Sequence, residues 1–242
     1  LNNAIYRSGH LQNIITVDES VLENTNVVFG PSSVIYGNDA LGGIINMETK
    51  RLYFSKEPKI QTQFFSRYAS AYHGFSSHQS FSYESNKFSF FNAVSIKDYG
   101  DVVMGTNRRH GYSDWGLVHH YQSNGEIIDN INPNIQKNTG FQQLDIINKM
   151  LFKINNLWRM TSNIQYSTSS NVPRFDKLND IDDEVCLSCE ENLPKYLQWY
   201  YGPQNRFLAS LTFNGFEKTK LFDYSEFIIA NQNVTESRSQ QK

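Results

Sequence analysis

Long apolar runs are missing from this chain of 242 residues, and their absence removes the commonest way of crossing a membrane. No stretch approaches the roughly 18 consecutive apolar residues that a spanning helix needs, and the mean hydropathy is -0.53. A membrane β-barrel stays open, because its strands alternate and carry a much weaker signal. Charge is also scarce, at 19% of residues against about 25% in ordinary domains. With a net charge of -2, a pI near 6.3 and no basic cluster, the electrostatic footprint of a nucleic-acid binder is absent. The chain opens on Leu1 inside polar sequence, with no targeting segment, and closes at Ser237 to Lys242 directly after strand-like sequence. Both ends read as cut, so a fragment is expected.

Apolar residues amount to 39%, a figure unchanged when the 14 Tyr are exchanged for the 14 Gly. That lies below the roughly 45–50% of an average domain, so a large dry core is not indicated. The deficit is filled by aromatic and uncharged polar residues, with 17 Phe, 14 Tyr and 3 Trp. This palette favours strands and turns.

From about residue 58 the chain alternates with period two in blocks of about ten residues. Ile60, Phe64, Tyr68 and Tyr72 share one face, opposite Gln61, Gln63 and Arg67, with Phe65 as an exception. Block 75–84 sets Phe75, Phe81 and Tyr83 against Ser76, His78, Ser80 and Glu84. Block 88–97 sets Phe88, Phe90, Val94 and Ile96 against Ser89, Ala93, Ser95 and Lys97, with Phe91 out of pattern. A second hairpin follows at 144–154 and 158–168, turning at Asn155-Asn156. Further strands are expected near 206–214 and 218–232, joined through Asn214-Gly215. Long polar connections fall near 99–140 and 170–203, well beyond the roughly 12–15 residues usual in compact domains. Short turns alternating with long loops suit an outer-membrane barrel, and a soluble β-sandwich is the alternative.

The first fifty residues differ in texture. Gly30, Gly37, Gly42 and Gly43 cluster there, and the pattern reads as a short strand at 27–29, a Gly-Pro turn, one or two helical turns and a second strand from Ile44 to Thr49. The run from Phe29 to Lys50 closely resembles the end of the plug domain of TonB-dependent outer-membrane receptors. Gly30, Pro31, Ser32, Ser33, Tyr36, Gly37, Ala40, Gly42, Gly43, Ile45, Asn46, Thr49 and Lys50 match that family's pattern, and Trp199 to Gln204 looks like receptors of the Bacteroidetes kind. The resemblance implies an all-β membrane protein: residues 1–50 as the C-terminal part of a small α+β plug domain, and 51–242 as about seven strands of a large antiparallel transmembrane barrel of about 22 strands. It implies a receptor that imports a scarce ligand, such as a ferric siderophore, haem, cobalamin or glycan, across the cell outer membrane, without cofactor or covalent chemistry. The partner would be TonB, whose recognition box lies upstream of this region in the family. Where the family commonly has a Glu and an Arg before the Gly-Pro, this chain has Asn26 and Phe29, so no ionic lock is expected through them.

Candidate ligand contacts are Asn3, Tyr6, Arg7 and His10 in a polar stretch ahead of the closing plug strands, where ordinary plug hydrogen bonding is the alternative. Tyr112, Trp115, Trp199 and Tyr200 in the long loops suit stacking on a flat or sugar ligand, or membership of an interfacial girdle. The glycine-rich run lacks the Lys-Ser/Thr close of a phosphate loop and is read as structural. His119 and His120 are adjacent, so on a strand they point to opposite faces, and no metal site is expected. The acids around residues 180–191 fit no calcium loop. No catalytic residue is visible, and an enzyme barrel would leave the plug pattern unexplained. The single pair Cys186 and Cys189 is a weak zinc signal and reads as a disulfide in an oxidising surface loop. A disulfide there leaves both thiols closed to alkylation on intact cells until reductant is added. Labelling of both without reductant rules it out.

Overall fold

In a computed structural model that describes residues 16–30, 43–123, 125–178, 180 and 195–241, the alternation is realised as one antiparallel sheet of seven long strands. The strands are β1 (Leu22–Phe29), β2 (Gly43–Thr49), β3 (Lys59–Ala69), β4 (Gly74–Glu84), β5 (Phe88–Tyr99), β6 (Val102–Val103), β7 (His120–Ser123), β8 (Glu126–Asp129), β9 (Ile135–Gln136), β10 (Phe141–Lys153), β11 (Trp158–Ser169), β12 (Val172–Pro173), β13 (Gln198–Tyr201), β14 (Asn205–Gly215), β15 (Ser225–Thr235) and β16 (Arg238–Gln241). Among the described residues one short α-helix, α1, spans Phe175–Leu178. The seven-stranded sheet runs β15-β14-β11-β10-β5-β4-β3. Its edges, β3 and β15, leave it open rather than closed into a barrel.

The two faces of this sheet invert the usual soluble arrangement. Outward rows such as Phe88–Phe152–Met160–Phe213–Phe227 follow the cross-strand register, and Ile60, Phe64 and Ile96 stand 66%, 70% and 55% exposed. Inward positions are polar and buried, among them His78, Ser80, Ser82, Ser89, Ser95, Lys97, Gln143, Asp145, Ser167 and Arg206. Residues 16–21 and 49–55 lie against this inner face. The two breaks in the alternation, Phe65 and Phe91, belong to it as well. Phe65 stacks on His78 with ring centres 5.2 Å apart. Phe91, only 2% exposed, packs with Val21, Ala93 and Ile147, and Leu52 covers them. At Phe91 an aromatic on the polar face marks where another segment sits on the sheet.

β1 and β2 form a separate antiparallel pair, with Val27 opposite Ile45 and Phe29 opposite Gly43. Two motif glycines have a steric reason there. Gly43 has φ of +151°, and a Cβ on it would meet the Val28 carbonyl oxygen at 2.7 Å, while Gly30 has φ of +96°; side chains are strained at both. Asn46 lies in β2 and donates from Nδ2 to Glu48 Oε1 at 3.3 Å. Pro31, Ser32, Ser33, Tyr36, Gly37 and Gly42 lie outside the described residues.

Two connections at one end of the sheet are tight. Ser85 Oγ donates to the Phe88 carbonyl at 2.8 Å, and Asn155 Oδ1 accepts from the amides of Leu157 and Trp158, each at 2.8 Å. The third, 216–224, is longer than the Asn214-Gly215 turn expected from sequence, and β15 begins at Ser225 rather than near 218. Thr219 closes a local turn by accepting the Phe222 amide at 3.0 Å, and Trp158 Nε1 donates to Glu217 at 3.0 Å, which pins this segment as a turn. At the other end, the connection over 100–140 folds into the pairs β6–β9 and β7–β8, and that over 170–204 carries β12, α1 and β13, with β13 pairing to β16. Phe91→Ala is expected to cost about 3–5 kcal/mol, read as a lowered denaturant midpoint and faster proteolysis within 16–55. Phe64→Ala, on the exposed outward face, is expected to leave both nearly unchanged.

Candidate functional site on the inner face of the sheet

The join between residues 16–21 and the sheet is built on a single turn of 3-10 helix, Glu19–Val21, whose N-cap is Asp18. Asp18 Oδ1 accepts the Ser20 amide at 3.1 Å, which turns the other carboxylate oxygen toward the sheet. There Ser95 Oγ donates to Asp18 Oδ2 at 2.6 Å and lies 2.7 Å from His78 Nδ1. The single hydroxyl hydrogen of Ser95 goes to Asp18, so the His78–Ser95 bond takes its proton from Nδ1. His78 Nε2 is buried with no hydrogen-bond partner among the described residues. Lys97 Nζ, on a side chain 5% exposed, lies 3.2 Å from Asp18 Oδ1 and 3.5 Å from Asp145 Oδ2, and donates to Glu19. Gln143 Nε2 donates to both oxygens of Asp145, at 2.9 and 2.8 Å.

Cations of the sheet also hold backbone carbonyls of the covering segment. Arg206 donates through Nε and Nη2 to the Thr16 carbonyl at 3.2 and 3.0 Å, and Lys149 Nζ reaches the Lys50 carbonyl at 2.7 Å and Thr49 Oγ1 at 3.0 Å. Ser89 donates to the Tyr53 carbonyl. Buried ion pairs add little net stability, but removing one partner strands the others. Their attraction falls about fourfold when water at ε near 80 replaces a surrounding of ε near 20. Such a joint is firm while dry and weak once wetted.

No family model matches the chain, and no curated protein matches it. Solved structures do match. The crystal structure of the ferric enterobactin receptor PfeA, in complex with BCV-L6, is similar over 92% of this chain with a TM-score of 0.52 and 18% identity. The siderophore receptor PirA from Acinetobacter baumannii is similar over 92% with a TM-score of 0.54 and 14% identity. The fold is that of part of a TonB-dependent siderophore receptor. The chain spans 29% of one of these receptors and 31% of the other.

Within this receptor fold the sequence-derived candidates fall in different places. Asn3, Tyr6, Arg7, His10, Cys186 and Cys189 lie outside the described residues. Tyr112 and Trp115 sit in the 100–140 connection, 71% and 63% exposed, and His110 packs against both rings at 5.7 and 5.4 Å. Arg108 beside them donates to the Trp115 and Thr106 carbonyls and to Asn134, all neutral acceptors. Trp199 and Tyr200 lie together in β13. Trp199 is 5% exposed, with the Arg174 guanidinium 4.8 Å above its ring and Tyr201 against its edge at 5.0 Å. Asp176 bonds Arg174 through two nitrogens at 2.9 Å each and holds that guanidinium above its ordinary pKa. The two aromatic pairs are separate.

Sequence reasoning placed His78, Ser95 and Lys97 on the polar faces of their strands and missed Asp18 and Glu19 as their partners, and Arg206 as the cation that holds the Thr16 carbonyl. Asn26, at a position the family often fills with charge, faces Asn46 across β1–β2, and the charged attachment is made upstream at Asp18 and Glu19. Replacing the cation, Lys97→Met, leaves Asp18 and Asp145 buried without it and is expected to cost about 3–5 kcal/mol. Hydrogen exchange at the amides of 18–22 should quicken accordingly, with Lys97→Arg closer to the parent. Unchanged protection in Lys97→Met overturns this assignment.

Proposed function

We propose that this chain is part of a TonB-dependent receptor of the cell outer membrane, which binds a scarce ligand outside and imports it with force delivered by TonB. The observation that carries this reading is a sheet with one apolar face and one polar face, whose polar face is occupied by the preceding segment through buried, charged attachments. A segment so placed suits a plug inside a barrel: residues 1–50 and their continuation to about 55 fill the lumen, and the outward aromatics meet lipid. A secreted carbohydrate-binding sandwich needs a second sheet over the outward apolar face. Among the described residues only two- and three-stranded sheets accompany the large one. Import of this kind makes and breaks no covalent bond.

For ligand we favour a ferric siderophore, since one similar receptor is named for ferric enterobactin and the other for a siderophore; haem, cobalamin and glycans are the competing classes. Tyr112 and Trp115, exposed beside Arg108 and His110, form an aromatic and cationic surface that suits an anionic aromatic chelate, each ring contributing about 0.5–1.5 kcal/mol by stacking. Asn3, Tyr6, Arg7 and His10 are proposed as contacts from the plug side, and Trp199 and Tyr200 as loop contacts. Disrupting the gene is expected to abolish growth on a ferric siderophore as sole iron source while growth on free iron salts continues. In the full-length receptor, Tyr112→Ala and Trp115→Ala together are expected to weaken siderophore binding at least several-fold. Loss of growth on haem, cobalamin or a glycan instead reassigns the ligand, and no defect on any of them removes the import reading.

A further inference from the structure

The outward face of the sheet carries a polar stripe where lipid should lie. From the tight-turn end to the long-loop end, the outward pairs across β5 and β10 are Phe88–Phe152, Phe90–Met150, Asn92–Asn148, Val94–Ile146 and Ile96–Leu144. Two apolar pairs lie on each side of an asparagine pair. On the neighbouring strands Phe81 and Ile164 stand directly opposite the two asparagines, and the stripe continues only on the diagonal. Gln79 of β4 sits opposite Val94, diagonal to Asn92, and Ser162 of β11 sits opposite Met150, diagonal to Asn148. All four polar side chains are at least partly exposed. Asn92 Nδ2 donates to the Ile147 carbonyl at 3.3 Å, which uses only part of what one amide offers, since each carries two donor hydrogens and two acceptor lone pairs.

Hydrocarbon offers these amides no hydrogen bond, and within membranes such side chains serve as bonds between protein segments. We infer that this stripe is the contact face for a second copy of the same receptor in the plane of the outer membrane, an inference that rests on the outer-membrane reading above. Three features choose that occupant. The stripe is uncharged, so a partner presenting a carboxylate or ammonium would bury it unpaired. Amides both donate and accept, so the stripe complements itself. A two-fold axis along the membrane normal, passing between β5 and β10, sets Asn92 of one copy against Asn148 of the other, the isologous arrangement commonest among protein dimers.

The test uses the full-length receptor in its own membrane, with Asn148→Cys and a short bifunctional thiol reagent. The expected product is a species of twice the receptor mass, at least tenfold above two backgrounds: the unsubstituted chain, with its own Cys186 and Cys189, and Leu211→Cys on the outward face of β14. The double variant Asn92→Leu/Asn148→Leu is expected to stay at parental level in the outer-membrane fraction while its dimer in mild detergent falls at least tenfold. A receptor that reaches the outer membrane but cross-links no better than the backgrounds, that cross-links only to a different protein, or that keeps its dimer in the double variant overturns the second-copy assignment and leaves the import reading standing. A receptor absent from the outer-membrane fraction overturns both.

Discussion

A sheet whose apolar face is uncovered has to complete its charged side-chain bonding on the other face, and the remaining structure answers that constraint. Beside the apolar Phe91, Ala93 and Ile147, the inward side chains of β4, β5, β10 and β14 include Ser, His, Lys, Gln, Asp and Arg, groups that need water or protein around them. Where residues 16–21 and 49–55 cover them they are buried and bonded, as at Ser95, Lys97, Ser89 and Arg206. Beyond that cover, on β3, Gln61 and Gln63 are exposed. Polar burial therefore maps the footprint of the covering segment.

Two kinds of contact hold that segment, and they do different work. The cluster of Val21 with Phe91, Ala93 and Ile147 supplies attraction without direction. The charged set around Lys97 supplies direction, because Asp18 and Glu19 reach it only from this one turn of helix at this one height on β5. Apolar area says that the segment stays, and the ion cluster says where. Since Coulomb attraction weakens when water enters and the apolar contact weakens when the surfaces part, the join is cooperative: loosening either component exposes the other.

Period-two alternation made the long strands legible, because one face of each is mostly apolar and the other mostly polar. The same rule explains Phe91, which broke it, once the inner face is seen to be a contact surface as well as a lining; Phe65, the other exception, stacks on His78 within the sheet. The folded content of the long connections was hidden for the opposite reason. β6 to β9 are two to four residues long, too short for any period to emerge. The joint was half legible: strand charges at inward positions were apparent, but Asp18 and Glu19 lie in a stretch with no repeating pattern, and no local signal says which strand a turn will meet. The late start of β15 had the same cause, since Phe216, Leu221 and Phe222 in the turn are apolar and imitate strand sequence.

Aromatic residues in the loops show why residue type alone does not define a binding surface. Trp115 and Trp199 look alike as letters, each in a long polar connection with an arginine in the same connection. Arg108 turns away from the Trp115 ring to bond carbonyls and Asn134, leaving that ring open. Arg174, fixed by Asp176, lies over Trp199, and Tyr201 closes its edge. A ligand stacking on Trp199 must first displace a guanidinium that two charge-assisted hydrogen bonds hold in place. One stacking on Trp115, which is 63% exposed with His110 packed against it, meets no such guanidinium. The difference lies in what each arginine has to bond, so which ring stays open to a stacking partner is decided by carboxylate placement as much as by the rings themselves.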